Sequence, residues 1–365
     1  MWYKINNIEE IDSPALVIYP ERIKENIKLT LGIAGSINKL RPHVKTNKME
    51  EVCRMMMEEG IIKFKCATIA EAEMLAIVEA PDVLLAYQPV GPKIGRLLKL
   101  VKAYRKTLFS CLVDDEANAE AINKACEDTG VVLNVFVDLN VGMNRTGAQP
   151  EKAVALIKKI QLLKHLHVIG IHGYDGHIHD EDPVQRQKAS DVSFEAVEKV
   201  CQKVQPLFSY PLQVIMGGTP TLPMHVHREN TECSPGTFVF WDWGYKHIFP
   251  EMPYKYAALV ISRVISIIDE NHICIDLGHK SVAAENPLPR VHFLNVPEAI
   301  SVAQNEEHLV LQVPDSRKYT LGEVFYGVPM HICPTVALYE KAFVVYKGEM
   351  KTTWDTTARN RYINY

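Results

Sequence analysis

The densest group of side chains able to do chemistry lies between residues 39 and 48. Lys39, Arg41, His43, Lys45 and Lys48 place five potential cations in ten positions, with no carboxylate among them. If the first part of this segment is extended, Arg41, His43 and Lys45 alternate onto one side. Desolvation and neighbouring cations lower the pKa of a lysine, and a neutral amine can form a Schiff base with an aldehyde. A solvated basic loop is the commoner alternative, and this segment alone does not decide between them.

Two glycine–threonine sequences further along the chain contain groups that bind phosphate. Gly218 and Thr219 follow one apolar run, and Gly236 and Thr237 precede another. Unhindered backbone N–H groups beside a hydroxyl suit a phosphate monoester, although ordinary turns use the same residues. Together with Lys45 they suggest pyridoxal 5′-phosphate, whose aldehyde would meet the lysine and whose phosphate would meet the glycines.

Further polar residues follow two other apolar runs. Arg145, in "VDLNVGMNRTG", could hydrogen-bond an anionic or aromatic ligand. Tyr174, in "IHGYDGHIH", lies next to glycines that let the backbone approach a ligand. The same stretch contains His172, His177 and His179, which would form a metal site if they converged; isolated histidines are more often structural.

A possible metal pair occurs near the end of the chain, where His331 and Cys333 are two residues apart in "MHICPT". On an extended segment both side chains would face the same way. Imidazole nitrogen and thiolate sulfur are ligands of the type that zinc takes. Two ligands leave positions open for water and substrate, as in a catalytic site. A buried cysteine beside a capping histidine is the alternative.

The elements that must position these residues alternate between strand and helix patterns over about the first 245 residues, which predicts a parallel sheet. Eight strand candidates favour a (β/α)8 TIM barrel over an open doubly wound sheet. In such a barrel the chemistry lies at the carboxyl ends of the strands. The candidates span residues 39–44, 62–68, 82–87, 108–113, 132–139, 167–173, 212–218 and 237–241.

The pattern changes after about residue 250, where strand-like runs follow one another without long helices between them. This predicts a C-terminal, mostly antiparallel β domain. The early run "SPALVIYP" (13–20) could belong to either part. We therefore expect a barrel domain at 20–248 and a β domain built from 1–19 and 249–365.

The bulk composition excludes several classes of protein. A net charge of −4 over 365 residues gives no reason to expect a nucleic-acid or anionic-membrane partner. No segment approaches the ~20 apolar residues of a membrane span, and the first residues do not resemble a signal peptide. The eight cysteines are scattered without a C-x-x-C pair, which suits a reducing cytoplasm.

In order along the chain, the motifs resemble those of the D-threonine aldolase and D-serine dehydratase-like family. They are "DSPALVIYPERIKENI", "RPHVKTNK", "DLNVGMNRTG", "YDGH", "GGTPT", "SPGTFVFWD", "IDLGHK" and "HICPTVAL". The resemblance implies pyridoxal-phosphate enzymes of fold type III, with an alanine racemase-like barrel, a β domain and a homodimeric assembly.

The resemblance also implies roles for particular residues. Lys45 would bind the cofactor. Independently of the resemblance, the placement of Arg41 and His43 next to Lys45 predicts that they help keep it deprotonated and orient the ring, so that His43 joins Lys45 as a catalytic residue. Arg145 and Tyr174 would contact the cofactor ring or its phenolic oxygen. The remaining expected ligands are Gly218, Thr219, Gly236 and Thr237 for the phosphate, and His331 and Cys333 for a divalent metal.

The resemblance leaves the reaction open between two lyase activities on a D-β-hydroxy-α-amino acid. Retro-aldol cleavage to glycine and an aldehyde is favoured by the overall resemblance. Dehydration to a keto acid and ammonia is favoured by Cys333, because family aldolases carry H-x-D where this chain has H-I-C. A thiolate also favours zinc over magnesium or manganese. Less favoured are a racemase, with Tyr326 or Tyr339 as second acid–base, and a non-catalytic cofactor-binding protein.

Overall fold

The computed structural model describes residues 1–365, which pack into two compact units. The first, here called the barrel unit, consists of residues 30–45, 53–236 and 360–365. The second, here called the β unit, consists of residues 1–29, 46–52 and 237–359. No helix is both long and apolar enough to cross a membrane.

The chain forms sixteen strands and ten α-helices. The strands are β1 (Ala15–Ile18), β2 (Lys63–Cys66), β3 (Asp82–Leu85), β4 (Leu108–Val113), β5 (Leu133–Leu139), β6 (Leu166–Gly173), β7 (Gln213–Met216), β8 (Thr231–Cys233), β9 (Ala258–Ile267), β10 (His272–Ile275), β11 (Val291–Phe293), β12 (Ile300–Gln304), β13 (Leu309–Gln312), β14 (Val324–Pro329), β15 (Lys341–Tyr346) and β16 (Glu349–Asp355). The helices are α1 (Pro20–Ala34), α2 (Glu50–Glu58), α3 (Ile69–Ile77), α4 (Pro92–Ala103), α5 (Glu116–Thr129), α6 (Pro150–Ile160), α7 (Pro183–Val204), α8 (Leu222–His225), α9 (Trp243–Ile248) and α10 (Ile332–Val336).

The barrel unit is built on a seven-stranded parallel sheet in which β2 to β8 are neighbours in chain order. Segment 40–44 joins the two edges of this sheet, because Leu40 bridges to Cys233 of β8 and His43 bridges to Lys65 of β2. The Arg41 N–H donates to the Cys233 carbonyl at 2.8 Å, and the Val44 N–H donates to the Lys65 carbonyl at 2.9 Å. The predicted first strand therefore closes the ring, and the predicted α/β barrel with a second β domain is confirmed.

The predicted eighth strand is wrong in its position. Residues 237–241 are not a strand, whereas β8 lies at Thr231–Cys233, which the sequence pattern did not single out. The N–H groups of Phe240 and Trp241 both donate to the Thr237 carbonyl, as in a tight helical turn. Trp241 also has a φ of 53°, which a strand does not allow. Because this aromatic segment is buried, its residues are mostly apolar, and their pattern resembles that of an interior strand.

The helices of the barrel unit begin and end where local sequence signals indicate. The Asp115 side chain accepts the Asn118 N–H at the start of α5, and Gly130 ends that helix with a φ of 66°. Pro150 occupies the first turn of α6, where its missing N–H costs nothing. Helical periodicity predicts five helices, and α2 to α6 confirm them; the predicted segments are 47–60, 69–80, 91–104, 115–130 and 150–163. The 22-residue α7 was not predicted, since its hydrophobic stripe is interrupted by polar residues.

The β unit contains a nine-stranded sheet whose main path runs β12-β13-β10-β9-β1-β15-β16, with β14 paired to β9 and β11 paired to β14. All pairings are antiparallel except that of β1 with β15. Because β1 is fully buried between β9 and β15, "SPALVIYP" belongs to this sheet. The short β11, β12 and β14 were not predicted.

Candidate active site

A cavity of about 270 Å³ opens at the carboxyl ends of the barrel-unit strands. It is lined by His43, Lys45, Lys65, Ala67, Ala86, Tyr87, Arg145, Thr146, His172 and Tyr174. The four residues predicted for cofactor and catalysis from segment 40–45 and the loops after β5 and β6 are therefore brought together. Lys65 and His172 are additional members that the sequence analysis did not assign to this site.

Lys45 follows the segment that closes the ring, and His43 fixes the backbone at this point. The Nδ1 atom of His43 accepts the Lys45 backbone N–H at 3.2 Å. The Lys45 Nζ lies 6.0 Å from the centre of the Tyr174 ring. This geometry gives His43 a positioning contact to the main chain of Lys45, and places the Lys45 amine inside the cavity.

Tyr174 forms the aromatic centre of the cavity. The Lys65 Nζ lies 5.4 Å from its ring centre, and the Arg145 guanidinium carbon lies 5.1 Å from it. With Lys45, three basic side chains therefore lie within about 6 Å of one ring, the range of cation–π contacts. A Cβ on Gly176 would lie 2.2 Å from the Tyr174 ring, so glycine is required there for the ring to keep this position. The concentration of positive charge suits an anionic ligand.

A buried hydrogen-bonded chain reaches the cavity from inside the sheet. Asp138 of β5 contacts the Nδ1 atom of His172 of β6 at 2.6 Å, and the Nε2 atom of His172 contacts the Nζ of Lys65 at 2.8 Å. All three residues are less than 5% exposed. Burial, together with the charge of nearby Lys45, lowers the pKa of Lys65 to about 7. Burial and the charge of Lys65 lower the pKa of His172, which is therefore a neutral imidazole at neutral pH.

One sequence signal could have found Lys65. In "KFKC" the two lysines alternate with Phe64 and Cys66, so Lys63 and Lys65 must share one face of a strand. Lys65 is next to the carboxyl end of β2, where barrel chemistry lies. The apolar pattern of this run by itself predicts only a strand.

The hypothesis of a three-histidine metal site is wrong. No group of three or more His, Cys, Asp or Glu side chains is placed to hold a metal ion. His172 is engaged by Asp138 and Lys65, and the ring of His177 lies against Gly142, where a Cβ would be 2.7 Å from its Nε2.

The predicted role of Arg41 in keeping Lys45 deprotonated and orienting the cofactor ring is also wrong. Arg41 is fully buried and binds Asp82 through Nη1 at 2.6 Å and Nη2 at 2.9 Å, and Glu232 through Nε at 2.7 Å. Although burial alone would lower the pKa of Arg41, these carboxylates raise it. A buried guanidinium must be paired, and this pairing directs Arg41 toward β3 and β8 instead of the cavity.

Gly236 lies beside the Gly218–Thr219 turn within the barrel unit. The Gly236 N–H donates to the Thr219 hydroxyl at 3.1 Å, and the Gly218 N–H donates to the Thr221 hydroxyl at 3.3 Å. The Thr221 hydroxyl in turn donates to Asp175 at 3.0 Å. These residues are buried, so the turns have a fixed mutual position.

The same region contains a polar group that fits an additional ligand. The Ser234 hydroxyl, two residues before Gly236, is buried without a hydrogen-bond partner in the protein. Buried hydroxyls are normally paired, so an unpaired one beside a glycine turn is what a polar ligand would complete. An amine, a cationic cavity and this turn fit the aldehyde and phosphate of pyridoxal phosphate.

His331 and Cys333 contact other residues of the β unit. The Nδ1 of His331 lies 2.5 Å from Glu285, and the Cys333 sulfur lies 3.1 Å from the Thr46 hydroxyl and 3.6 Å from that of Thr237. Burial would lower the pKa of His331, but its hydrogen bond with Cys333 and the charges around it raise that pKa to about 9.

The extended conformation expected for the His331–Cys333 segment is wrong. His331 is extended, but Cys333 lies in the first turn of α10, so the two are not on one strand. Their side chains nevertheless form a hydrogen bond, which raises the pKa of His331. They form a pair of donors without a third His, Cys, Asp or Glu ligand.

Comparison with known proteins covers most of the chain. Residues 18–242 match the family model "Alanine racemase, N-terminal domain", and residues 257–345 match "Putative serine dehydratase domain". A D-threonine aldolase from Arthrobacter sp is 25% identical over 361 residues, covering 96% of this chain and 94% of that protein. A D-serine dehydratase from Dictyostelium discoideum is 22% identical, covering 93% and 95%. The crystal structure of D-threonine aldolase from Filomicrobium marinum superposes with a TM-score of 0.88 at 25% identity, covering 96% of each chain.

Proposed function

The chain belongs to the alanine racemase N-terminal domain family, and from this premise we propose that it is a pyridoxal-phosphate-dependent lyase acting on D-β-hydroxy-α-amino acids. The observation that carries the proposal is the cavity that combines the Lys45 amine with further cations around Tyr174. Relatives that are similar over their full length are aldolases and dehydratases of such amino acids, which supports the reaction class.

In this proposal the chain's own residues hold and orient the cofactor. Lys45 would hold its aldehyde, and Arg145 and Tyr174 would contact its ring. Gly218, Thr219, Gly236 and Thr237 would hold the phosphate, with Thr221 and Asp175 keeping the Gly218 turn in place. When bound, the cofactor supplies an electron sink for the bonds at the α-carbon of an amino acid.

His331 and Cys333 would bind a divalent metal, for which zinc is the best match. Imidazole and thiolate are donors of the type that zinc takes, whereas magnesium and manganese prefer oxygen. Glu285 holds the Nδ1 of His331, as a carboxylate does for metal-ligating histidines, and leaves Nε2 for the metal. A bound metal would supply a Lewis acid for the β-hydroxyl of the substrate.

Retro-aldol cleavage to glycine and an aldehyde is the favoured reaction, because over similar coverage the D-threonine aldolase relative is 25% identical and the D-serine dehydratase relative 22%. Dehydration is the second candidate, and the observation that favours it is Cys333 in the metal pair. The two tyrosines considered for a racemase make structural hydrogen bonds: the Tyr339 hydroxyl donates to the Ser281 carbonyl at 2.6 Å, and the Tyr326 hydroxyl accepts the Ile5 N–H at 3.4 Å. These bonds argue against racemisation.

Reduction with borohydride after addition of pyridoxal phosphate, followed by peptide mapping, tests the cofactor site. We expect the label on Lys45, and a label on another lysine would remove the assignment. Lys45→Ala is the matched control, in which that label must be absent.

Product analysis with D-threonine then tests the reaction. Acetaldehyde and glycine indicate the aldolase, and 2-oxobutanoate and ammonia indicate the dehydratase. A chelator should abolish either activity, and zinc should restore it. Activity that survives chelation would remove the metal role given to His331 and Cys333.

A further inference from the structure

The cavity contains a second lysine that the proposed cofactor site does not use. Lys65 is only 3% exposed, and its Nζ reaches the same cavity as Lys45. Buried lysines in proteins are normally paired with a carboxylate. The Lys65 amine instead contacts the neutral ring of His172 at 2.8 Å. This arrangement is unusual for a lysine whose role is only structural.

The contacts of His172 determine what it presents to Lys65. Because Asp138 is an acceptor for the Nδ1–H, the neutral ring has its lone pair on Nε2, facing the Lys65 amine. Lys65 therefore donates one N–H to Nε2. An unprotonated amine in this position still has its own lone pair, which can accept a proton from a molecule in the cavity.

Charged and titratable groups on every neighbouring element act on Lys65. Burial and the cations Lys45 and Arg145 disfavour its protonated form, whereas Asp138 and Asp175 favour it. The other titratable groups lining the same cavity are His43, Tyr87, His172 and Tyr174. Because the effects that lower the pKa of Lys65 outweigh those that raise it, a substantial fraction of its amine is unprotonated at neutral pH, as a general base requires.

We propose that Lys65 is a catalytic residue that exchanges a proton with the substrate, and that His172 and Asp138 are its positioning residues. This role rests on the proposed lyase function. In the cleavage direction, Lys65 takes the proton of the β-hydroxyl as the Cα–Cβ bond breaks and the aldehyde forms. The electron pair of that bond stays with the α-carbon, which then receives the proton back from Lys65. One proton is taken and one is returned, so Lys65 is neutral again after each turnover.

The charge state of Lys65 can be measured without turnover. Protein labelled with 15N and 13C in its lysines is titrated by NMR, and the Lys65 resonance is identified by its absence in Lys65→Met. We expect a midpoint near 7 in the unmodified chain. In Asp138→Asn the midpoint should fall, because one favourable charge is removed. If no lysine has a midpoint below about 9, the proposal is overturned.

Two substitutions separate proton exchange from a merely electrostatic or structural role. Lys65→Met and Lys65→Arg should keep the borohydride label on Lys45, while kcat falls by about 10²–10⁴-fold in both. Arginine keeps the positive charge but does not release its proton, so it cannot rescue a proton-exchange role. The rise of kcat/KM with pH through about 7 should disappear as well. Lys63→Met is the control on the same strand, since Lys63 pairs with Glu232.

Each outcome decides the proposal. Near-normal turnover in Lys65→Arg, or an unchanged pH profile, would overturn the role of Lys65 while leaving the lyase proposal intact. Absence of any cofactor label on Lys45 in the unmodified chain would overturn the lyase function and, with it, this role. A low midpoint by NMR combined with the loss of kcat in both Lys65 variants supports it.

Discussion

The charge state of Lys65 should make the stability of the folded chain depend on pH. Its pKa of about 7 is far below that of an exposed lysine, because burial and Lys45 disfavour the ammonium form. Between pH 7 and 10.5 the unfolded chain therefore binds more protons at this position than the folded chain. The resulting destabilisation is fully present below pH 7 and disappears as the pH rises toward 10.5.

Replacing Lys65 with methionine should consequently stabilise the protein at neutral pH. The expected gain in the free energy of unfolding is on the order of 4 kcal/mol at pH 7 and about 1 kcal/mol at pH 9.5. Urea unfolding of both chains at the two pH values measures the difference. An equal effect at both pH values would show that Lys65 is protonated in the folded state.

The second expectation at residue scale is that the metal affinity of His331 and Cys333 depends on pH. Burial lowers the pKa of His331, but its hydrogen bonds with Cys333 and Glu285 and the charges of Cys333 and Asp242 raise that pKa to about 9. A metal must displace this proton, so zinc binding should release protons and strengthen as the pH rises toward 9. Calorimetry in buffers of different ionisation enthalpy measures the release. Cys333→Ala is the control, and zinc binding that is independent of pH would contradict the proposed ligands.

At the scale of elements, Arg41 connects the ring-closing segment 40–44 to two strands. Its partners are Asp82 at the start of β3 and Glu232 in β8. Arg41→Met would remove the shared partner of both carboxylates, leaving the buried Glu232 with only Lys63, and should cost about 3–5 kcal/mol of unfolding free energy. Denaturant unfolding measures this, with Lys106→Met as the control for an exposed ion pair, which should change stability by less than about 1 kcal/mol. A loss for Arg41→Met as small as the control's would contradict the structural role.

The loops after β6 and β7 are held together by Thr221, which accepts from Gly218 and donates to Asp175. Thr221→Val keeps the shape of the side chain but removes both hydrogen bonds. We expect the Kd for pyridoxal phosphate to rise about tenfold, corresponding to ~1–2 kcal/mol for lost hydrogen bonds. Absorbance titration measures this affinity. Thr221→Ser keeps the hydroxyl and should bind normally, whereas equal weakening in both variants would point to packing instead.

At the scale of the whole molecule, residues far apart in sequence build the central part of one sheet. β1 comes from the first 20 residues but lies between β9 and β15, with all four side chains buried. Deleting residues 1–19 would expose one long edge of β9 and one of β15, and should prevent the β unit from folding. Circular dichroism and sedimentation of the truncated chain test this. A soluble truncation with an unchanged unfolding midpoint would contradict it.

The sequence by itself determined the barrel-plus-sheet architecture. Strand–helix alternation, and strand-like runs that follow one another without helices, are both local patterns. It also determined that Lys45, Arg145 and Tyr174 would meet, since the carboxyl ends of parallel strands converge at one end of a barrel. Motif resemblance identified the family because the motif residues lie in short contiguous segments of the sequence.

Tertiary structure alone decided which charges serve the site. Arg41 and Lys65 each lie one residue from a buried apolar position on a strand, and sequence periodicity treats them alike. The fold gives Arg41 two carboxylates and Lys65 a neutral histidine, so one has a structural ion network and the other a lowered pKa. The turn at 237–241 could not be predicted either, because its buried residues form an apolar run like that of an interior strand. Partners and desolvation depend on segments distant in sequence, and no local pattern records them.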